Sequence, residues 1–576
     1  MSLLIKEFLK KYWWRYLIGI LFLIIVDIIQ LFIPREIGSI VDILNTQSPN
    51  LNQVKTLIFG IIMLTLGLGI GRVFWRISII GAARLFEYQT WKKMFDHIIG
   101  LDQDFFDKWR TGDLMTRFTS DVSTLMRMLG ILVIMLVDTI VLTTLTVFAM
   151  GTFVNWRLTF ISVLPLPLIA IISLFFGRFI HRRFRELQEK TSELSNITEE
   201  NVSGVDVVKL YSNYDTMQEL FDNKSQEFYN SYIRLVKVWG LMFPLAMLVG
   251  QLATIFVFNF GGPMVINNQI TLGDFIMTNQ YIGMLIWPMM AVGNLINLIQ
   301  RGRASLKRVN EVLEQKNSIQ EPPREDFEFQ GHYQINHLTF KYPGSQREVL
   351  KDINMNINPG EMVAFVGRIG SGKSTLAKLL VKLYPVERGQ IFLDGKDING
   401  LNGEFIRDYV SYVPQDSFLF SMTIRENIAF ANEEMEDKVE EFAKLSHVHD
   451  DIMSFENKYD TIVGERGATL SGGQRQRVTI ARALAKRSKW IILDDCLSAV
   501  DTETEEEIIK TLRQQAEGKT ILVISHRLKA VKNADQIYVF DNGQIVEHGN
   551  HNQLISQEGI YYSMYLKQLI EKNLEE

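Results

Sequence analysis

The chain has 576 residues and a formal charge of −5; the length exceeds one ordinary domain, and the near-neutral charge argues against a nucleic-acid partner. Apolar residues make up 47% and charged residues 22%, but the two kinds are segregated, with the long apolar runs all ahead of Pro322-Pro323, and this excludes a purely soluble enzyme. A single cysteine, Cys496, excludes an intramolecular disulfide and any multi-cysteine zinc or iron–sulfur centre.

A helix needs roughly 20 mostly apolar residues to cross the hydrocarbon core. Six stretches meet that requirement, approximately 16–33, 57–80, 131–154, 158–176, 241–265 and 275–299. Lys6, Lys10, Lys11 and Arg15 precede the first, with no small-residue cleavage site, so it reads as a retained helix with its basic end in the cytoplasm. The connections after the first, third and fifth stretches are short and poor in Lys and Arg. Those after the second and fourth are long and basic, carrying Arg84, Lys92, Lys93, Lys108, Arg110 and Arg117, then Arg178, Arg182, Arg183 and Arg185. The positive-inside rule puts both long connections, and both ends of the chain, on the cytoplasmic side. Helical spacing continues through them, which predicts helices extending far beyond the bilayer, turning at Gly112 and at Gly204. The segments 107–116 and 204–211 are the expected transverse helices.

Pro165, Pro167, Pro244 and Pro288 predict kinks. Asp27, Asp138, Gln251 and Asn259 are polar groups at bilayer depth, where an acidic side chain costs at least ~2.5 kcal/mol and faces a cavity or a partner. Asp138 has two readings, a pathway residue or a polar contact between packed helices. Residues 1–314 form the expected membrane domain and 315–331, with two prolines and several charges, a linker. Residues 332–576 have the alternation of a soluble α/β domain.

In that second half, the apolar strand 363–366 leads into Gly367-Arg368-Ile369-Gly370-Ser371-Gly372-Lys373-Ser374-Thr375 and then a helix. This is a P-loop in its required context. Its glycines let backbone N–H groups approach phosphates, Lys373 adds charge at the β- and γ-phosphates, and Ser374 offers a hydroxyl to magnesium. A second buried strand, 490–493, ends in Asp494-Asp495, where Asp494 would serve the magnesium shell. Upstream, Leu470-Ser471-Gly472-Gly473-Gln474 opens a helix and makes a second anion-binding element. One P-loop with two phosphate-binding elements implies that the second serves another nucleotide.

These motifs resemble the ATP-binding-cassette family: an LSGGQ signature between a P-loop and a Walker B strand, behind six crossings, looks like an exporter half-transporter over essentially the whole chain. The resemblance implies an all-α six-helix membrane domain with long cytoplasmic extensions joined to an α/β P-loop NTPase, with ATP and Mg2+ as cofactors. Two cassettes would close head to tail, each ATP lying between one P-loop and the opposite signature. It further implies adenine stacking by Tyr342, magnesium and water sensing by Gln415, contact with cytoplasmic helices by 461–467, a crossing loop 498–501 ending in Asp501, and a γ-phosphate switch at His526. Without the resemblance, Tyr342 reads as a structural tyrosine in a turn and His526 as an ordinary strand-end histidine. Cys496 reads as a packing residue.

One position departs from the family. The residue after the Walker B aspartate is ordinarily glutamate, and here it is Asp495. Losing a methylene withdraws the carboxylate by ~1.5 Å, and displacement of that order costs about a hundredfold in rate. An intact signature beside a shortened base matches one subunit of a heterodimeric exporter, with membrane lipid and an amphipathic drug-like or lipidic cargo as its other partners. A peptide exporter, a homodimer with a slow Asp495 and a nucleotide-gated channel subunit are the alternatives.

Overall fold

The computed structural model describes residues 3–464, 467–515 and 518–575, so Glu465 and Arg466 of the expected 461–467 contact segment lie outside the described residues. The chain divides into two compact units. One runs through Gly100 and over Arg110–Gln315; the other contains Leu101–Trp109 and everything from Lys316 onward.

The first unit is all helix. Among the described residues five helical stretches are long and apolar enough to cross a membrane: Leu4–Leu44, Leu51–Ile99, Thr111–Ser203, Tyr214–Ile266 and Leu272–Leu313. The third has 93 residues, about 140 Å if straight, several times a bilayer's thickness. It breaks at Asn155, whose backbone is extended (φ −168°, ψ 131°) and whose side chain accepts from the N–H groups of Arg157 and Leu158. The stretch is therefore long enough for two crossings, one on either side of Asn155.

The helices outrun the apolar runs at both ends, as Leu3–Leu44 and Leu272–Leu313 show. Pro34, Pro244 and Pro288 lie inside continuous helices, while Pro167 begins the helix Pro167–Ser203 after a turn at 164–166. The expected bend at Gly112 is displaced: Gly112 is inside the helix Thr111–Thr116, and the chain instead turns at Trp109 and Arg110, both extended. The expected segment 107–116 is thus split between the short helices Gln103–Lys108 and Thr111–Thr116. Gly204 does separate Pro167–Ser203 from the short helix Val205–Leu210.

Polar contacts join distant helices of this unit. Asp42 accepts from the Thr271 hydroxyl and the Gly273 amide, each at 2.7 Å, and buried Asp121 accepts from Arg308 Nε at 2.8 Å and from the Ser305 hydroxyl at 2.9 Å. The surface carries many exposed apolar side chains, among them Leu17, Phe59, Phe160 and Phe175, as lipid contact requires.

The described residues of the second unit form ten strands: β1 Tyr333–Phe340, β2 Leu350–Ile357, β3 Met362–Gly367, β4 Ile391–Leu393, β5 Lys396–Asp397, β6 Val410–Val413, β7 Trp490–Asp494, β8 Thr520–Ile524, β9 Gln536–Asp541 and β10 Gln544–Gly549. They form a four-stranded antiparallel sheet in the order β2-β1-β4-β5 and a six-stranded sheet in the order β10-β9-β3-β8-β7-β6. In the larger sheet only β10 runs antiparallel. Strands β3, β7 and β8 are buried along their whole length, the signature of a parallel sheet covered on both faces.

Residues 315–332 contain no helix or strand, yet they are not a loose tether. Phe329 is buried and stacks on Tyr409 at 4.7 Å and 6°, and Glu321 pairs with buried Lys382 at 3.1 Å. The Gln103–Lys108 helix belongs to this unit as well: the Tyr384 hydroxyl donates to Asp107 at 2.6 Å.

Candidate functional site

Sheet topology gathers the chemistry. In the parallel order β3-β8-β7-β6 every strand ends at the same edge, and each is followed by a sequence-predicted residue: the P-loop after β3, His526 after β8, Asp494-Asp495 at the end of β7, Gln415 after β6. Ligands of open α/β sheets bind at that edge.

The P-loop backbone needs its glycines at specific places. Gly367 (φ +142°), Gly370 (φ +79°) and Gly372 (φ +103°) are all in the left-handed region; a Cβ on Gly367 would collide with the Phe540 carbonyl, and one on Gly372 would meet Leu350 Cδ2 at 2.6 Å. Lys373, 5% exposed, donates to the carbonyls of Gly367 (3.0 Å) and Arg368 (2.9 Å) and to the Ser371 hydroxyl (3.3 Å). Burial lowers its pKa to about 8, while the negative charges of Asp495 and Asp494 act to raise it.

Both carboxylate oxygens of buried Asp494 accept hydroxyl hydrogen bonds, from Ser374 and from Tyr412, each at 2.6 Å. Tyr412, on β6, had no motif to announce it. Next along the chain, Asp495 stands at φ +46°, a region that aspartate tolerates better than longer acids do. Its Oδ2 accepts from Gln415 Nε2 at 3.3 Å. Burial raises the pKa of Asp495, against the pull of His526. Burial and the Lys373 charge lower that of His526, which keeps the ring neutral at pH 7. Tyr342 is half-buried, its hydroxyl 3.0 Å from Thr375 Oγ1 and its ring edge-on to Tyr384 at 5.0 Å.

The turn after β8 has a support that the sequence did not reveal. Arg527 donates to buried Glu505 at 2.7 Å, to the Val500 carbonyl at 2.7 Å and to that of Ser498 at 3.1 Å. Gln476 accepts from the Ala499 amide. Together they fix the 498–501 loop, and Asp501 caps the following helix by accepting from the Thr504 amide at 2.9 Å. Cys496 is buried in the apolar core, and burial pushes its thiol pKa up.

Ser471 begins the helix Gly472–Ala485 in a capping box: its hydroxyl accepts from the Gln474 amide, while its own amide donates to Gln474 Oε1. Gln474 also donates to Asp451 at 3.0 Å, and Asp451 pairs with Arg477 at 2.9 Å. Gly472 and Gly473 lie against Ala499. Among the described residues no hydrogen bond of 471–474 reaches the P-loop.

Comparison with known proteins agrees with this architecture. Residues 16–289 match the family described as ABC transporter transmembrane region, and 350–498 match ABC transporter. The chain is 36% identical over 563 residues to the probable multidrug resistance ABC transporter ATP-binding/permease protein YheI of Bacillus subtilis (strain 168), covering 97% of this chain and 96% of that one. It is 32% identical over 570 residues to the multidrug resistance-like ATP-binding protein MdlA of Escherichia coli (strain K12), covering 99% and 97%. With the ATP-dependent lipid A-core flippase of Desulfotalea psychrophila it shares 34% over 478 residues, 82% and 83% of the two chains. The fold matches a bacterial Atm1-family ABC exporter solved with ATP bound, with a TM-score of 0.78 over 96% of this chain and 99% of that one at 24% identity. The chain belongs to the ABC exporters, multi-pass membrane proteins that work as dimers and whose cytoplasmic cassette binds and hydrolyses ATP.

Proposed function

We propose that this chain is one half of an exporter pair with two unequal ATP sites, moving amphipathic drug-like or lipidic compounds outward across the cell membrane. The names of its relatives, multidrug proteins and a lipid flippase, support that cargo class. The observation that carries the asymmetry is Asp495: a carboxylate in the base position but one methylene short, in a chain whose signature Ser471–Gln474 is intact.

In this reading residues 1–314 are the membrane domain, 315–331 the connector and 332–576 the cassette. The P-loop amides and Lys373 bind the ATP phosphates, with Gly367, Gly370, Ser371, Gly372 and Thr375 shaping the cradle, and Tyr342 meets the adenine. The Ser374 hydroxyl, the Asp494 carboxylate and the Gln415 side-chain oxygen are hard donors at one sheet edge, the set that Mg2+ takes. When bound, the ion neutralises charge on the β- and γ-phosphates. Asp495 orients the attacking water, and neutral His526 donates to the γ-phosphate. Ser471, Gly472, Gly473, Gln474 and Asp501 serve the nucleotide on the partner's P-loop.

Ground-state phosphate contacts do not need the catalytic carboxylate, so ATP binds tightly to this P-loop while turning over slowly. Steady-state ATPase of the assembled transporter tests this. Asp495→Ala should leave more than half of the activity, whereas Ser471→Arg should remove over nine-tenths, since it blocks the faster site. Equal losses would make the two sites equivalent and the transporter a homodimer, an arrangement that one chain bearing both domains also permits.

A further inference from the structure

His526 stands on a segment outside the regular fold. Residues 525–527 lie between β8 and the short helix Leu528–Val531, in neither strand nor helix. The sheet reaches them at their near end, where the Ser525 amide donates to the Phe365 carbonyl of β3 at 3.3 Å. Yet the histidine needs an accurate place: with Asp495 and with Ile369 of the P-loop it lines a cavity of about 260 Å3 at the sheet edge. Backbone groups in such a turn need partners from elsewhere.

Two side chains hold the turn from opposite sides. Arg527 ties it to Glu505 and to the 498–501 loop. The Gln568 carboxamide spans it from the other side: Nε2 donates to the His526 carbonyl at 2.6 Å, and Oε1 accepts from the Leu528 amide at 2.9 Å. A carbonyl can only accept and an amide N–H can only donate, so the two bonds fix the orientation of the carboxamide. Gln568 belongs to the helix Ile560–Glu575, which is anchored in its first turn. Glu547 of β10 accepts from the Ile560 and Tyr561 amides, and the hydroxyl of buried Tyr561 is 2.8 Å from His551 Nδ1. Tyr561, Met564 and Tyr565 pack into the cassette core, and Gln568 is the next position on that face at helical spacing. Capping the helix Leu528–Val531 would need only the Oε1 bond. The Nε2 bond goes to the carbonyl of the histidine itself and holds the peptide from which the imidazole projects.

We propose that Gln568 is a positioning residue for ATP hydrolysis: it holds the turn so that the His526 ring meets the γ-phosphate, and it touches neither nucleotide nor metal. This rests on the role given to His526 above and makes the helix Ile560–Glu575 part of what governs turnover at this P-loop. Displacement by ~1 Å costs on the order of a hundredfold in rate; a turn that keeps its Arg527 tie and loses its Gln568 tie moves less, and about a tenfold loss is expected.

The test uses the full-length transporter in nanodiscs, with whatever second half co-purifies. Labelled ATP is supplied at less than one equivalent per site and phosphate release is followed over a single turnover; the slow phase reports this P-loop in an unequal pair, and a single phase reports it in an equal one. Gln568→Glu keeps the length and the bond from Leu528 but sets a carboxylate against the His526 carbonyl, and Gln568→Met keeps the shape and drops both bonds. Each should slow that phase about tenfold and leave the affinity for ADP, which lacks the phosphate that His526 meets, within about twofold. In a His526→Ala background the same substitutions should cost less than about twofold, because a residue that acts through His526 then has nothing left to position. Should one variant fail to assemble, the other decides. A full tenfold loss in the His526→Ala background, weakened ADP binding, or an unchanged rate in the Gln568 variants would overturn the positioning role and leave His526 in place. If His526→Ala alone leaves the rate unchanged, the γ-phosphate role of His526 falls, and the positioning role with it.

Discussion

The P-loop and the signature turn are both helix starts that can hold phosphate, yet they are built in opposite ways. Lys373 is buried and bonded to its own loop, beside an Asp494 whose two oxygens are both occupied. Ser471 is exposed, and its polar groups close on Gln474. The first element shares its residues between folding and chemistry; the second presents a finished surface outward. A site of the second kind needs another molecule to complete it, and its stability and its function can be separated by mutation.

The largest expected effect breaks the sheet edge beside His526, from which Arg527 also holds the 498–501 loop. Arg527→Met would leave Glu505, buried beside the catalytic edge, without its cation, and removing one partner of a buried pair costs about 3 kcal/mol. Ser471→Arg should cost only about 1 kcal/mol, the value of a lost helix cap, although it should remove over nine-tenths of turnover. Thermal unfolding of the two variants beside their ATPase rates measures the separation. Comparable losses of stability would show that the signature turn is as integral to the fold as the P-loop edge.

A smaller effect sharpens the contrast through pH. Burial lowers Lys373 to about 8, and only the ammonium form binds phosphate well. Its protonated fraction is nearly complete at pH 7 and is lost as pH rises through about 8, so ATP affinity at this P-loop should fall about fourfold between pH 7 and 8.5. Bound phosphate favours the ammonium, so binding at pH 8 should take up protons, readable by calorimetry in buffers of different ionisation enthalpy. The signature side has no such group. ATP affinity that stays flat to pH 9 would place Lys373 in a better-solvated setting than its hydrogen bonds indicate.

How much of this was legible in sequence depends on how local each determinant is. The P-loop, the Walker B end and the signature are contiguous motifs, and the structure places the first two, with Gln415 and His526, at one sheet edge because parallel strands end together. The apolar helices were readable from hydropathy, whereas the Asn155 cap that breaks 111–203 was not. The turn at Trp109–Arg110 was misplaced to Gly112, since a glycine is a local cue whereas the observed turn sets Gln103–Lys108 against a tyrosine 277 residues away. The same reason hid Tyr412, Glu505, Arg527 and Gln568, and the meeting of Asp27 with Asp138 at one hollow. Ordinary residue types become notable there only through tertiary contact.

The smallest expected effect bears most directly on the asymmetry. Asp495→Glu restores the missing methylene and returns the carboxylate by ~1.5 Å, which should raise turnover at this chain's own site by tenfold or more on the order-of-magnitude scale of such displacements. The backbone resists part of this gain: position 495 stands at φ +46°, where a left-handed conformation costs a longer side chain about 1 kcal/mol. The total ATPase of the transporter should nevertheless rise by at most about twofold, because the opposite site already works and two sites can do no more than double one. Single-turnover measurements with nucleotide confined to this P-loop distinguish the site's own gain from the total. If Asp495→Glu leaves single-site turnover unchanged, side-chain length is not what limits it. The Gln415 contact at 3.3 Å would then be the next element to alter, since among the described residues it is the hydrogen bond that holds the Asp495 Oδ2 oxygen.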